Sequence, residues 1–137
     1  MRSVINWYKA TLQNLESDPA IARIKSLQED YEKAVEDLAK RIDHTNLRPY
    51  ASIDSIMETI LEAKRYGFRG VCIPPVYVKK ARDMLRGSEV KVITVIGFPL
   101  GYVPTKVKVL EAKIAEESGA DEIDVVMSCA YPCNSCR

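Results

Sequence analysis

From Arg41 onward the apolar residues fall into short runs that alternate with longer segments of helical period, and this alternation predicts four successive βα units. The predicted strands cover residues 41–45, 69–73, 91–96 and 122–127. Helices are expected over 53–66 after a Ser52 cap, over 78–85 after Pro74-Pro75, and over 105–118 after Pro104. Gly67, Gly87 and Gly119 stand where each helix should stop, because glycine takes the left-handed conformation that closes a last turn. Parallel strands joined by helices need right-handed crossovers, so the helices should lie outside the sheet.

The first forty residues have a different pattern. Val4, Tyr8, Leu12 and Leu15 mark one amphipathic helix. Ser17-Asp18-Pro19 then reads as a cap with proline at the first helical position, opening a longer helix towards Lys40. Ile21, Ile24, Tyr31, Val35 and Leu38 share its apolar face, while Glu29, Glu32, Glu36 and Asp37 mix with lysines on a solvated one. The expected organisation is a helical extension over 1–40, a strand-bearing domain over 41–127 and a cysteine-rich tail over 128–137.

Two architectures accommodate repeated βα units, an open doubly wound sheet and a (β/α) barrel. No Gly-x-Gly-x-x-Gly follows any strand, which leaves the dinucleotide-binding sheet without its phosphate loop. The polar residues favour the barrel. Asp43 and Thr45 lie two apart and share a face, and Thr94 and Asp124 interrupt the third and fourth strands, so polar groups should converge towards the carboxyl ends of parallel strands.

Composition narrows the function classes. With 137 residues, 28% of them charged and a net charge of +1, the chain has no basic excess for nucleic acid or an anionic membrane. It has no apolar run of a membrane helix's length and no apolar signal-peptide core, which gives the expectation of a soluble cytoplasmic protein. Cys72 lies alone in an apolar run while Cys129, Cys133 and Cys136 crowd the end, a distribution unlike a disulfide framework.

Asp124 is the residue most in need of a role. An apolar strand directly after a helix is expected to be buried on both faces of a parallel sheet, where a carboxylate either anchors a polar network or does chemistry. Asp43 opens a turn-like Asp-His-Thr-Asn run, and His44 alternates to the opposite face, towards packing or the surface. Cys72 reads as a small buried hydrophobe unless an electropositive setting activates it. The glycines of Ile96-Gly97-Phe98-Pro99-Leu100-Gly101 either turn the chain or let backbone approach a ligand.

Four ordered motifs, Ile42-Asp43-His44-Thr45-Asn46-Leu47, Gly70-Val71-Cys72-Ile73-Pro74-Pro75, Val95-Ile96-Gly97-Phe98-Pro99-Leu100-Gly101 and Gly119-Ala120-Asp121-Glu122-Ile123-Asp124-Val125-Val126, resemble the deoxyribose-phosphate aldolase family over residues 39–127. The resemblance implies the first four units of a (β/α)8 barrel needing neither metal nor organic cofactor. Its implied reaction is the reversible cleavage of 2-deoxyribose 5-phosphate into acetaldehyde and glyceraldehyde 3-phosphate. In that family a lysine forms a Schiff base, a second lysine lowers its pKa and an aspartate relays protons. The aspartate matches Asp124, and Asp43, Thr45 and Cys72 match residues lining the family's pocket, to which Thr94 is added by its strand position.

The family's two lysines lie on its sixth and seventh strands, beyond the four matched here. Lys79, Lys80, Lys106, Lys108 and Lys113 all fall on predicted helices, so none is assigned the Schiff-base role. A truncated or frame-shifted reading of a longer aldolase gene is the simplest expectation for the missing half and the unmatched tail. Four strands would leave two sheet edges unpaired, from which a homo-oligomer or a complementing chain is expected. In the tail, Cys129-x3-Cys133-x2-Cys136 is similar to an iron–sulfur signature and keeps a metal site open as an alternative.

Overall fold

A computed structural model describes residues 18–128, which part into two compact units between Leu38 and Ala39. The predicted helix around Val4–Leu15 and the three tail cysteines lie outside the described residues.

The first unit holds all but the last residue of helix α1, Pro19–Ala39. Asp18 caps it, its Oδ1 accepting the Ala20 N–H at 2.7 Å, so the cap falls on the residue just before Pro19, whose missing N–H costs nothing in a first turn. No residue of α1 is buried, and the apolar stripe of Ile24, Leu27, Tyr31, Val35 and Leu38 is exposed.

The second unit is a four-stranded parallel sheet in the order β1-β2-β3-β4, with β1 Asp43–Thr45, β2 Gly70–Ile73, β3 Lys91–Ile96 and β4 Glu122–Val125. Helices α2 Ile53–Tyr66, α3 Val78–Met84 and α4 Thr105–Glu117 alternate with the strands, and a short 3₁₀ turn, Pro75–Tyr77, leads into α3. Strand order equal to chain order, with a helix in every crossover, is the pattern of a partial (β/α) barrel. The turn residues act as predicted. Ser52 accepts the Ser55 N–H at 3.2 Å. Gly67 closes α2 with φ 65° and donates its N–H to the Ala63 carbonyl.

The register sorts the side chains onto two faces. Asp43 pairs with Gly70 and Gly70 with Lys91; Thr45 pairs with Cys72, Cys72 with Ile93 and Ile93 with Glu122; Val95 pairs with Asp124. These residues form the inner face. On the outer face Val71, Ile73 and Val92 pack on Ile56, Ile60 and Ala63 of α2, on Val78 and Ala81 of α3, and on Leu85. Each fully buried Ile, Leu or Val contributes about 1.5–3 kcal/mol by leaving water, so this sheet–helix layer is the main core. A smaller inner cluster joins Cys72, Ile93 and Val95, with Leu47 against it.

β4 departs from the expectation of a strand buried on both faces. Asp124 is exposed, as is Val125 at 55%. The reason is position: β4 hydrogen-bonds to β3 on one side and, among the described residues, is an edge of the sheet on the other. No helix among the described residues is long and apolar enough to cross a membrane.

Candidate functional site

The inner face carries the polar residues that the strands were expected to bring together, with one exception. Asp124 and Cys72 stand across β3 from one another, with Cys72 Sγ 4.0 Å from Asp124 Oδ2. Thr45, in register with Cys72, turns its hydroxyl to donate to the Asp43 carbonyl at 2.9 Å. Thr94 is the exception and a correction. It alternates to the outer face, is 0% exposed, and donates its hydroxyl to the Ile73 carbonyl at 2.8 Å. Its partner in the register is Ile73, a helix-facing residue, so it cannot line an inner pocket.

Asp43 shares the inner face but sits two residues nearer the amino end of β1 than Thr45. Its carboxylate is taken up by Arg69, whose Nη1 donates to Oδ1 at 2.6 Å and Oδ2 at 2.7 Å. Arg69 Nη2 also donates to Glu122 Oε2 at 2.5 Å, and Lys91 Nζ donates to Glu122 Oε1 at 2.5 Å. Lys91 and Arg69 hold the Glu122 carboxyl below the usual carboxylate range. This four-residue cluster was not anticipated. Its signal was nonetheless present, because Glu122 lies two residues before Asp124 and therefore on the same face, with cations at or just before the starts of two neighbouring strands.

Cys72 is 3% exposed. Burial pushes its thiol up to about 11, with the charges of Asp124 and Asp43 adding to the effect and a hydrogen bond with Thr45 opposing it. Thiolate nucleophiles need the opposite surroundings, so the reading as a small buried group holds and the nucleophile reading does not. His44 also keeps to its expected place outside the inner face, its Nε2 2.8 Å from Glu62 Oε2 and its ring 5.2 Å from that of Phe68.

The loops at the carboxyl ends of the strands border a cleft of about 490 Å³, lined by residues that include Leu47, Arg48, Tyr77, Val95, Phe98 and Glu111. Asn46 ties the first loop down, its N–H donating to the Cys72 carbonyl at 3.0 Å and its Nδ2 to Ser55 Oγ at 3.0 Å. In the loop after β3, Gly97 donates its N–H to Glu111 Oε2 at 2.7 Å. Gly101 has φ 70°, and a Cβ there would lie 1.9 Å from the Met127 carbonyl oxygen. Its freedom therefore serves the close approach of this loop to the end of β4. Lys108 of α4 strengthens the same junction by donating to the Val126 carbonyl at 2.6 Å.

The lysines fall as the helical pattern implied. Lys79 and Lys80 are on α3 and Lys106, Lys108 and Lys113 on α4, while Lys91 reaches the inner face at the amino end of β3, where Glu122 holds it.

No family model matches the chain. Curated relatives do. The chain is 53% identical over 94 residues to a deoxyribose-phosphate aldolase of Thermotoga sp. (strain RQ2), covering 69% of this chain and 38% of that protein. It is 58% identical over 92 residues to a deoxyribose-phosphate aldolase of Metamycoplasma hominis, covering 67% of this chain and 42% of that protein. Among solved structures, the tetrameric deoxyribose phosphate aldolase of Aeropyrum pernix matches with a TM-score of 0.65 and 45% identity, over 69% of this chain and 40% of that one. The chain thus spans about 40% of the length of such relatives.

Proposed function

The strand-bearing part of this chain belongs to the deoxyribose-phosphate aldolase family, and we propose that it carries the amino-terminal half of that family's active site without the lysines that make the site react. The complete reaction is the reversible cleavage of 2-deoxyribose 5-phosphate to acetaldehyde and glyceraldehyde 3-phosphate. It needs a neutral amine to attack the aldehyde and form a Schiff base, and an acid–base group to move protons as water leaves and the carbon–carbon bond breaks. Asp124 is the acid–base group. Thr45 and Cys72 stand near it on the inner face, and Asp43 underlies them in its pairing with Arg69. Strands β1–β4 supply no free amine beside Asp124, so residues 18–128 by themselves should not turn substrate over.

The observation that carries this reading is the placement of Asp124 against Cys72 on the open inner face, 4.0 Å apart, with the inward lysine, Lys91, engaged by Glu122 at the other end of the strands. The same reading sets a helical extension over 1–40 before the barrel strands and a separate tail over 128–137, and gives the protein a sugar phosphate as ligand and a cytoplasmic address.

Incubating the purified chain with deoxyribose 5-phosphate and borohydride tests the proposal. Mass spectrometry should find no reduced adduct, and a trapped lysine would overturn it.

A second reading is favoured by the edges. Among the described residues β1 and β4 each have one side without a strand partner, so these edges associate with further strands, those of a second copy or of a complementing chain. Sedimentation at rising concentration should show association, and a monomer throughout would remove this reading.

A further inference from the structure

β4 is poorly held by packing, since Asp124 and Val125 are exposed and, among the described residues, β3 is its one neighbouring strand. Beyond the ladder to β3 and the Lys108 bond to Val126, what ties it to the strands further along the sheet is charge. Arg69, one residue before β2, grips both oxygens of Asp43 on β1 with Nη1 and reaches Glu122 on β4 with Nη2. A planar guanidinium held by two carboxylates is fixed in orientation, which a single ammonium cannot achieve. Gly70 makes the space for it. A Cβ at that position would lie 2.5 Å from Ile93 Cδ1 and 2.9 Å from Asp43 Oδ1, displacing the carboxylate that Arg69 holds. Glu122 and Asp124 project from the same face of β4, two residues apart, so whatever fixes Glu122 also limits where Asp124 can go.

We infer that Arg69 is a positioning residue: clamped between Asp43 and Glu122, it holds the edge strand β4 in the place that keeps Asp124 against Cys72. Its meaning for catalysis rests on the aldolase reading of Asp124. The positioning itself does not, and it can be tested without turnover.

Cys72 is the reporter. In the full chain with Cys129, Cys133 and Cys136 replaced by serine, it is the one remaining thiol of four. Its alkylation by iodoacetamide at pH 8 follows the thiolate fraction, which the Asp124 charge suppresses. Asp124→Asn should therefore speed alkylation about five- to tenfold, corresponding to a shift of about one pH unit from a neighbouring like charge. In the Arg69→Met background the same substitution should change the rate less than about twofold, because Asp124 no longer stays beside the thiol. Any general loosening caused by losing Arg69 multiplies both rates and cancels in their ratio. Arg69→Lys, able to reach one carboxylate at a time, should give an intermediate ratio.

Glu122→Ala cuts the tether on β4 and leaves the Asp43 pair in place, and it should shrink the Asp124 effect as well. It carries the comparison by the same criterion if Arg69→Met does not fold. An Asp124→Asn effect of equal size with and without Arg69 overturns the inference, as does no effect of Asp124→Asn in the native background. Failure of the borohydride prediction would leave this result untouched, so the two readings fail separately.

Discussion

Replacing Gly101 by alanine should damage the junction between the β3 loop and β4 far more than the same change at Gly87. Both glycines have left-handed backbone, φ 70° at Gly101 and φ 73° at Gly87. Each substitution therefore costs about 1 kcal/mol for placing an L-residue there. At Gly87 nothing lies within 4 Å of the new Cβ, and the cost ends there. At Gly101 the Cβ would sit 1.9 Å from the Met127 carbonyl oxygen and 2.9 Å from that of Val126. Those atoms are backbone, so the loop and the end of β4 must separate. Separation strains the Gly101 N–H bond to the Gly97 carbonyl at 2.7 Å and the Lys108 bond to Val126 at 2.6 Å. At about 1 kcal/mol for each bond, Gly101→Ala should cost about 3 kcal/mol against about 1 for Gly87→Ala. With a urea slope of about 2 kcal/mol/M, the two unfolding midpoints should differ by about 1 M. Hydrogen exchange localises the damage, since the Val126 N–H, bonded to the Ile96 carbonyl at 2.9 Å, should lose protection in Gly101→Ala alone. Equal midpoints for the two variants would refute the reasoning.

Thr94→Val should lower stability by about 1 kcal/mol through loss of the bond to Ile73. It should also leave the Cys72 alkylation rate unchanged, and a changed rate would return Thr94 to the inner face. Burial works to raise the Asp121 carboxyl, but the Val92 N–H and Arg82 outweigh it and hold the group below its ordinary 3.8, while Lys91 and Arg69 hold Glu122 below 4.5. Both groups are depressed in the folded state, so the stability they contribute is complete above those ordinary values and is lost as pH falls below about 4.5 through the folded values. Urea midpoints measured from pH 7 to pH 3 should fall less steeply for Glu122→Gln than for the native chain, and parallel curves would remove the ion pairs as the cause.

Much of the fold was legible because local signals agreed with one another. Ser52, Gly67, Pro104 and the apolar period placed α2 and α4 within a residue at each end, and β3 fell on its predicted span. The site was legible as a set of residues more than as a surface. Alternation correctly put Asp43 and Thr45 together and sent His44 outward, but a lone threonine in an apolar strand does not reveal which face is which. Thr94 could be assigned only from its register with Ile73, a long-range fact. The exposure of β4 was hidden for a similar reason. A run such as Ile123-Asp124-Val125 reads alike in a central strand and at an edge, since what differs is the neighbour and not the strand. The Arg69 clamp joins residues 26 and 53 positions apart, beyond the reach of any local pattern.

An open half-barrel and a closed one make opposite demands on the same carboxylate. Asp124 keeps contact with water here, and Cys72 can remain beside it as a neutral thiol. Strands added at the β4 edge would remove that water, and a carboxylate taken out of water without a cation costs several kcal/mol. The cations that already reach the inner face, Arg69 and Lys91, are engaged at the amino ends of the strands by Asp43 and Glu122. Drawing either upward would strip a partner from another carboxylate and move the cost without removing it. Whatever completes the sheet must therefore place a positive charge level with Asp124 or leave a wet channel there. A second copy of these four strands brings another Asp124 and no spare cation. Charge alone thus favours completion by strands unlike these four, with an inward lysine or arginine near their carboxyl ends, over completion by a second copy of these four.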